Sequence, residues 1–231
     1  MKDFEAFEES IGVKFKNKNL LTQAFIHRSY INENPKFKLS HNERLEFLGD
    51  AVLELVSTDF LYKKFKDSPE GELTAYRSAL VNANIISEIA TELNVNEYLL
   101  LSKGESKDVG KARQYILANT YEAIVGAIYL DLGYDEARVF IERTLLPRID
   151  DIVANKLWRD SKSLVQEKAQ EYTGITPAYR VMHESGPDHD KRFTVGLFLG
   201  GDMIAEGKGK SKQEAEQDAA KMSLIKKKWM D

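Results

Sequence analysis

The stretch HNERLEFLGDAVLELV, residues 41–56, reads as an amphipathic helix that carries acids where an apolar stripe should be clean. Glu43, Glu46 and Asp50 stand at i, i+3 and i+7, close to Leu45, Phe47, Leu48 and Val52. At about 100° per residue these carboxylates fall within roughly 60° of one another around the helix axis. Like charges at that spacing repel by a few tenths of a kcal/mol per pair unless something positive sits between them. The residues alone leave two readings open, a solvated acidic face or a cation site.

The rest of the chain narrows the choice. Its 231 residues suffice for one large or two small domains, each with its own core. With 42% hydrophobic and 30% charged residues it has the composition of an ordinary globular protein. No run of about 18 apolar residues occurs, so no membrane partner is expected. The opening MKDFEAFEES is acidic and has no apolar core, which argues against a secretory signal. The absence of cysteine excludes a disulfide framework, a thiolate metal site and a cysteine nucleophile, and fits a cytoplasmic protein. The net charge of −4 does not suggest a nucleic-acid binder, but it is unevenly divided. Lys and Arg number 21 against 26 Asp and Glu over residues 1–160, and 12 against 11 over 161–231. A local basic patch is therefore compatible with the acidic total.

Two periodicities divide the chain. Over residues 1–155 apolar positions recur every three or four residues, which predicts helices at 3–11, 18–26, 41–65, 70–79, 82–93, 111–132 and 134–154. In DSPEGEL, Ser68 is the expected cap, with Pro69 in the first helical position and acids in the first turn. Gly133 suits the break between two helices. This half is an all-α domain, followed by a polar linker at 156–160. Beyond it, residues 162–173 form a helix, and PAYRVMHES and KRFTVGLFLG alternate like half-buried strands around the turn-rich GPDHD. A third strand, DMIAEGKG, follows, and a helix opened by the S-x-x-E pair Ser211 and Glu214 closes the chain. Residues 161–231 are thus a small α+β domain of order α-β-β-β-α.

Lys208, Lys210 and Lys212 lie at and just before the last helix start, where free N–H groups and the helix dipole favour an anion. A solubilising charge run is the plain alternative. In its α-β-β-β-α frame, however, the segment 161–228 resembles a double-stranded RNA-binding domain. Such domains follow duplex shape through phosphates and 2′-hydroxyls, with little base readout. The resemblance implies Lys210, Ser211 and Lys212 as phosphate contacts, Ser163 and Gln166 as first-helix contacts, and His189 as the contact in the loop between the first two strands. Ser163 and Gln166 also match a capping box, and His189 also reads as a turn histidine. Gln213 stands where the family usually has another lysine, so one phosphate contact fewer is expected, with weaker salt dependence.

With that module downstream, HNERLEFLGDAVL resembles the signature of the ribonuclease III family, and ILANTYEAIVGAIYLD, residues 116–131, its second acidic helix. The resemblance covers roughly residues 5–152, with HRSY and SPEGELTAYRSALVN also in place. It implies a homodimer that hydrolyses double-stranded RNA by metal-ion catalysis, leaves 5′-phosphate and 3′-hydroxyl ends, and serves in rRNA and mRNA processing. Mg²⁺ is the implied ion, with Mn²⁺ as a substitute. The implied ligand set is Glu46, Asp50, Asn119 and Glu122, with Asp50 and Glu122 catalytic. Glu43 and Glu70 correspond to accessory acids near the cleft, although a helix-start role competes for Glu70. Phe47 is a core residue by its type, while the resemblance places it in the dimer interface. Glu54 reads as a surface residue, and Arg44 and Arg77 as partners of acids. At Asn119 the family usually has aspartate. An amide oxygen still ligates Mg²⁺ but brings no charge. Two accounts follow: a tolerated variant, or a double-stranded RNA-binding protein with impaired cleavage.

Overall fold

The computed structural model describes residues 2–107, 110–187 and 191–229, which form two compact units, 1–158 and 159–231. The first is helical: α1 (Phe4–Ile11), α2 (Lys18–Ala24), α3 (Arg28–Glu33), α4 (Glu43–Lys64), α5 (Glu70–Leu80), α6 (Ala83–Glu92), α7 (Lys111–Leu132), α8 (Tyr134–Thr144) and α9 (Arg148–Ala154). Ile116, Leu117, Tyr121, Ile124, Val125 and Ile128 of α7 are all buried, because α2, α4, α6 and α8 pack around it. A helix apolar on every side is the one a core is built around.

Several expected boundaries shift. The segment 134–154 is two helices, since the residue before Pro147 is disfavoured in helical conformation and the chain turns at Leu145 and Leu146. Pro69 takes the cap position expected for Ser68: its ψ of 160° is extended, and its carbonyl accepts from the Glu72 and Leu73 N–H groups. Of the residues read as a linker, 156–158 belong to the first unit and 159–160 to the second. The Trp158 ring stands edge-on to Tyr76 at 4.9 Å.

The second unit runs α10 (Ser161–Thr173), β1 (Pro177–Ser185), β2 (Arg192–Leu199), β3 (Asp202–Gly209) and α11 (Lys212–Lys227). Its strands form an antiparallel meander of order β1-β2-β3. Val165 and Ala169 of α10, Leu197, Leu199 and Ile204 of the sheet, and Ala219, Ala220 and Leu224 of α11 make the core. α11 rests directly on β3: a methyl group on Gly207 would lie 2.0 Å from the Ala219 nitrogen. β1, expected to be half-buried, is mostly exposed, because α11 lies on β2 and β3 instead. Among the described residues, no helix is long and apolar enough to cross a membrane.

Candidate active site

The acids that open the reading meet the second acidic helix at a backbone contact. Gly49 sits in α4 between Glu46 and Asp50, and a methyl group there would fall 1.8 Å from the Glu122 carbonyl oxygen. Gly126, one turn after Glu122, is its counterpart: a methyl group there would fall 2.2 Å from the Leu45 carbonyl oxygen. Each glycine costs its helix about 1 kcal/mol relative to alanine, a cost offset here by letting two helix backbones touch. Side chains one turn from such a crossing are held close together.

The electrostatics record that closeness. Burial pushes the Glu122 carboxyl up to about 8, and the charges of Asp50 and Glu46 add to the effect. Burial also raises Glu46, followed by the charge of Glu43; a hydrogen bond from Asn119 opposes them, and Asp50 adds a smaller push. Asp50 is raised by burial and then by the charge of Glu54, which is exposed as its surface position in the sequence predicts. Desolvated like charges disfavour full ionisation of the group, and that is the condition a cation relieves. Asn119 lies half-buried on α7, three residues before Glu122.

The donor set is oxygen only, three carboxylates and one amide, which suits a hard divalent ion. Among the described residues, no three His, Asp or Glu side chains converge closely enough to hold a metal ion by themselves. Mg²⁺ does not require such a cage, because it keeps several waters and takes one or two carboxylates together with substrate phosphates. The residues therefore fit the ion, and the four groups expected in one small volume are coupled without forming a closed cage.

The accessory positions divide. Glu43 is exposed at the start of α4, 3.8 Å from Arg28 and 3.7 Å from His41. Glu70 occupies the first turn of α5, where it accepts from the Thr74 hydroxyl at 3.1 Å; it does not contribute to the shifts of Glu46, Asp50 or Glu122. Arg77 donates to the Thr58 hydroxyl at 2.9 Å, a neutral acceptor where an acid was expected. Phe47 is 81% exposed, so the core placement suggested by its residue type is wrong. It borders a concave surface of about 640 Å³ lined also by Leu20, Leu48 and Leu130.

In the second unit, Ser211 caps α11, accepting from the Glu214 N–H at 3.1 Å, with Lys210 before it and Lys212 after it. The reciprocal half of the capping box goes to Lys210, whose N–H donates to the Glu214 carboxylate at 2.9 Å. The Lys212 ammonium lies 5.9 Å from the centre of the Phe193 ring. Ser163 and Gln166 are exposed on α10. Their capping-box reading falls, because Asp160 caps the helix through the Ser163 N–H at 2.7 Å. His189 lies outside the described residues. Sequence reasoning missed Gly49, Gly126 and Asp160. Glycine inside a strongly periodic helix was the available signal for the first two.

A desolvated acid cluster at a helix crossing, followed in the same chain by an α-β-β-β-α module with a basic helix start, defines a nuclease joined to a double-stranded RNA-binding module. Residues 17–149 match the family model described as Ribonuclease-III-like, and residues 161–227 match the double-stranded RNA binding motif. Ribonuclease 3 of Enterococcus faecalis is 44% identical over 217 residues, 94% of each chain. That of Desulforamulus reducens is 46% identical over 211 residues, 91% of this chain and 86% of its own. A solved nuclease domain of ribonuclease III from Campylobacter jejuni, described as flexible in a region involved in dimer formation, matches 63% of this chain and 99% of its own, at 42% identity and a TM-score of 0.57. The chain belongs to the ribonuclease III family of endoribonucleases.

Proposed function

We propose that this chain acts as a homodimer that hydrolyses phosphodiester bonds on both strands of double-stranded RNA, leaving 5′-phosphate and 3′-hydroxyl ends, in the processing of rRNA and mRNA in the cytoplasm. The observation that carries this reading is the half-buried, mutually coupled acid group around Glu122, in a chain whose second unit opens α11 with Lys210, Ser211 and Lys212. Mg²⁺, or Mn²⁺ in its place, would be held by Glu46, Asp50, Asn119 and Glu122, and when bound supplies charge neutralisation and Lewis acidity at the scissile phosphate. Asp50 and Glu122 are the catalytic acids, and desolvation makes their charge felt more strongly than it would be in water. Glu43 and Glu70 handle substrate from the rim. Lys210, Ser211 and Lys212 grip phosphates, while Ser163, Gln166 and His189 reach 2′-hydroxyls, so recognition follows duplex shape. The test is an end-labelled RNA duplex incubated with the protein, with Mg²⁺ and with chelator. Cutting in Mg²⁺ that stops in chelator is expected; metal-independent cutting or cutting of single strands alone would refute the proposal.

Phe47 is assigned to the dimer interface. A phenylalanine left mostly in water stabilises little as a monomer feature, yet burying it against a second copy contributes roughly 1.5–3 kcal/mol. Phe47→Ala is expected to leave the monomer fold intact and weaken dimerisation by roughly tenfold or more. Sedimentation across protein concentrations reads this directly, and an unchanged dimer would remove Phe47 from the interface.

One observation favours a second reading. Asn119 spends a hydrogen bond on Glu46, and its neutral amide leaves the cluster one charge short of a four-carboxylate set. The chain would then bind duplex RNA and cut it poorly. Under the leading reading, Asn119→Asp changes the cleavage rate by less than about tenfold at saturating Mg²⁺ and lowers the Mg²⁺ needed for half-maximal rate. Under the second reading the same substitution switches cutting on. Rates measured across Mg²⁺ concentrations separate the two.

A further inference from the structure

We infer that Glu214 and Asp218 are positioning residues for RNA, two acids that hold the backbone of the phosphate-gripping segment in place. The inference rests on the proposed role of Lys210, Ser211 and Lys212 as phosphate contacts. Acids beside a phosphate-binding segment are at first sight a defect, since a carboxylate near the duplex repels it. Their hydrogen bonds give them another task. The Asp218 carboxylate accepts from the Lys208 backbone N–H at 2.8 Å, and the Glu214 carboxylate accepts from the Lys210 backbone N–H at 2.9 Å.

The topology explains why these N–H groups need partners. β3 is an edge strand, paired on one side with β2 through Thr194 opposite Lys208 and Phe193 opposite Gly209. Two alternate N–H groups, that of Lys208 on its free edge and that of Lys210 just past its end, have no strand to bond. Glu214 and Asp218, one turn apart on α11, supply one acceptor each. Gly207 and Gly209 permit the approach: a methyl group on Gly209 would lie 2.5 Å from the Ala215 nitrogen. The same glycines leave the segment without side chains to order it, so the two carboxylates take over that task. Fixing the backbone at 208 and 210 fixes the roots of Lys208 and Lys210, and Ser211 at the helix start continues the same run.

The prediction has a sign that charge alone would reverse. An amide keeps the acceptor and drops the charge, whereas alanine drops both. Asp218→Asn and Glu214→Gln are therefore expected to bind an RNA duplex as tightly as the parent, or up to a few-fold more tightly. Asp218→Ala and Glu214→Ala are expected to bind about three- to tenfold more weakly, although each removes a negative charge from the interface. Binding is read by fluorescence anisotropy of a labelled duplex with the full-length protein, in chelator so that no strand is cut, and well below each melting temperature. Should Asp218→Ala not fold, the exposed Glu214 pair carries the comparison. If the alanine and amide variants bind alike, the carboxylates do not position the segment and the inference fails. Lys210→Ala and Lys212→Ala serve as the reference. Each should weaken binding and lower the salt slope by about one. If they leave affinity unchanged, the RNA interface lies elsewhere and the underlying reading fails as well.

Discussion

Gly49→Ala is expected to lower the melting temperature by roughly 6–12 °C and to abolish cleavage of duplex RNA, while leaving duplex binding close to that of the parent. In an ordinary helix interior the same change stabilises by about 1 kcal/mol. Here the added methyl group would occupy the space of the Glu122 carbonyl oxygen, 1.8 Å away, and the Gly126 nitrogen, 2.9 Å away, is α7 backbone as well. α4 and α7 must separate, opening the core around Leu45, Val52, Tyr121 and Val125 at a cost of roughly 3 kcal/mol. Separation also moves Glu46 and Asp50 away from Glu122, and displacements of about 1 Å cost catalysis heavily. Binding is expected to survive because the residues proposed to contact RNA, Lys210, Ser211 and Lys212, lie in the other compact unit. Gly71→Ala is the control: it lies in α5 with no atom within 4 Å of the added methyl, and should raise the melting temperature slightly. A Gly49→Ala protein that melts like the parent would show that the helices do not touch there.

That pair of glycines marks where the sequence could be read and where it could not. The acids were legible because helical spacing puts Glu46 next to Asp50 and Asn119 next to Glu122 whatever the fold. Which faces of the two helices meet is a tertiary fact, and the residues that decide it carry no side chain at all. Long amphipathic segments such as 43–64 and 111–132 declared themselves by period. Arg28–Glu33 did not, being six residues long with none buried, so no apolar stripe announces it. Its start depends on His27 accepting from the Ser29 N–H, and burial then holds the His27 imidazole below its usual range. Competition between capping signals hid the cap of α10, whose start was read within one residue: Ser163 and Gln166 fit the pattern, but Asp160, three residues earlier, takes the Ser163 N–H. Phe47 misled for the opposite reason. A large aromatic is a core residue by default, and only the fold reveals that its face of α4 is left open.

Glu122→Gln is expected to abolish cleavage and, at the same time, to make the protein more stable above neutral pH. The Glu122 carboxyl is raised to about 8 by burial and by Asp50 and Glu46, against an ordinary value of 4.5. The folded state therefore holds that proton over a range in which the unfolded chain has lost it. Where the native state binds more protons, stability falls as pH rises. The penalty begins near pH 4.5, grows through neutrality and levels off above about 8, reaching the order of a few kcal/mol. Glutamine has the shape of the neutral acid and cannot ionise, so the variant escapes this loss. Its melting temperature should equal that of the parent near pH 5 and exceed it at pH 8, measured without divalent ions. Cleavage in Mg²⁺ should drop by three orders of magnitude or more, the equivalent of about 4 kcal/mol of transition-state stabilisation. The opposing signs make the experiment decisive. An acid kept for a structural salt-bridge network would lose stability on neutralisation and leave the cutting rate unchanged. A site kept charged for catalysis gives up stability whenever the cluster is ionised without its cation, and recovers it once the charge is removed.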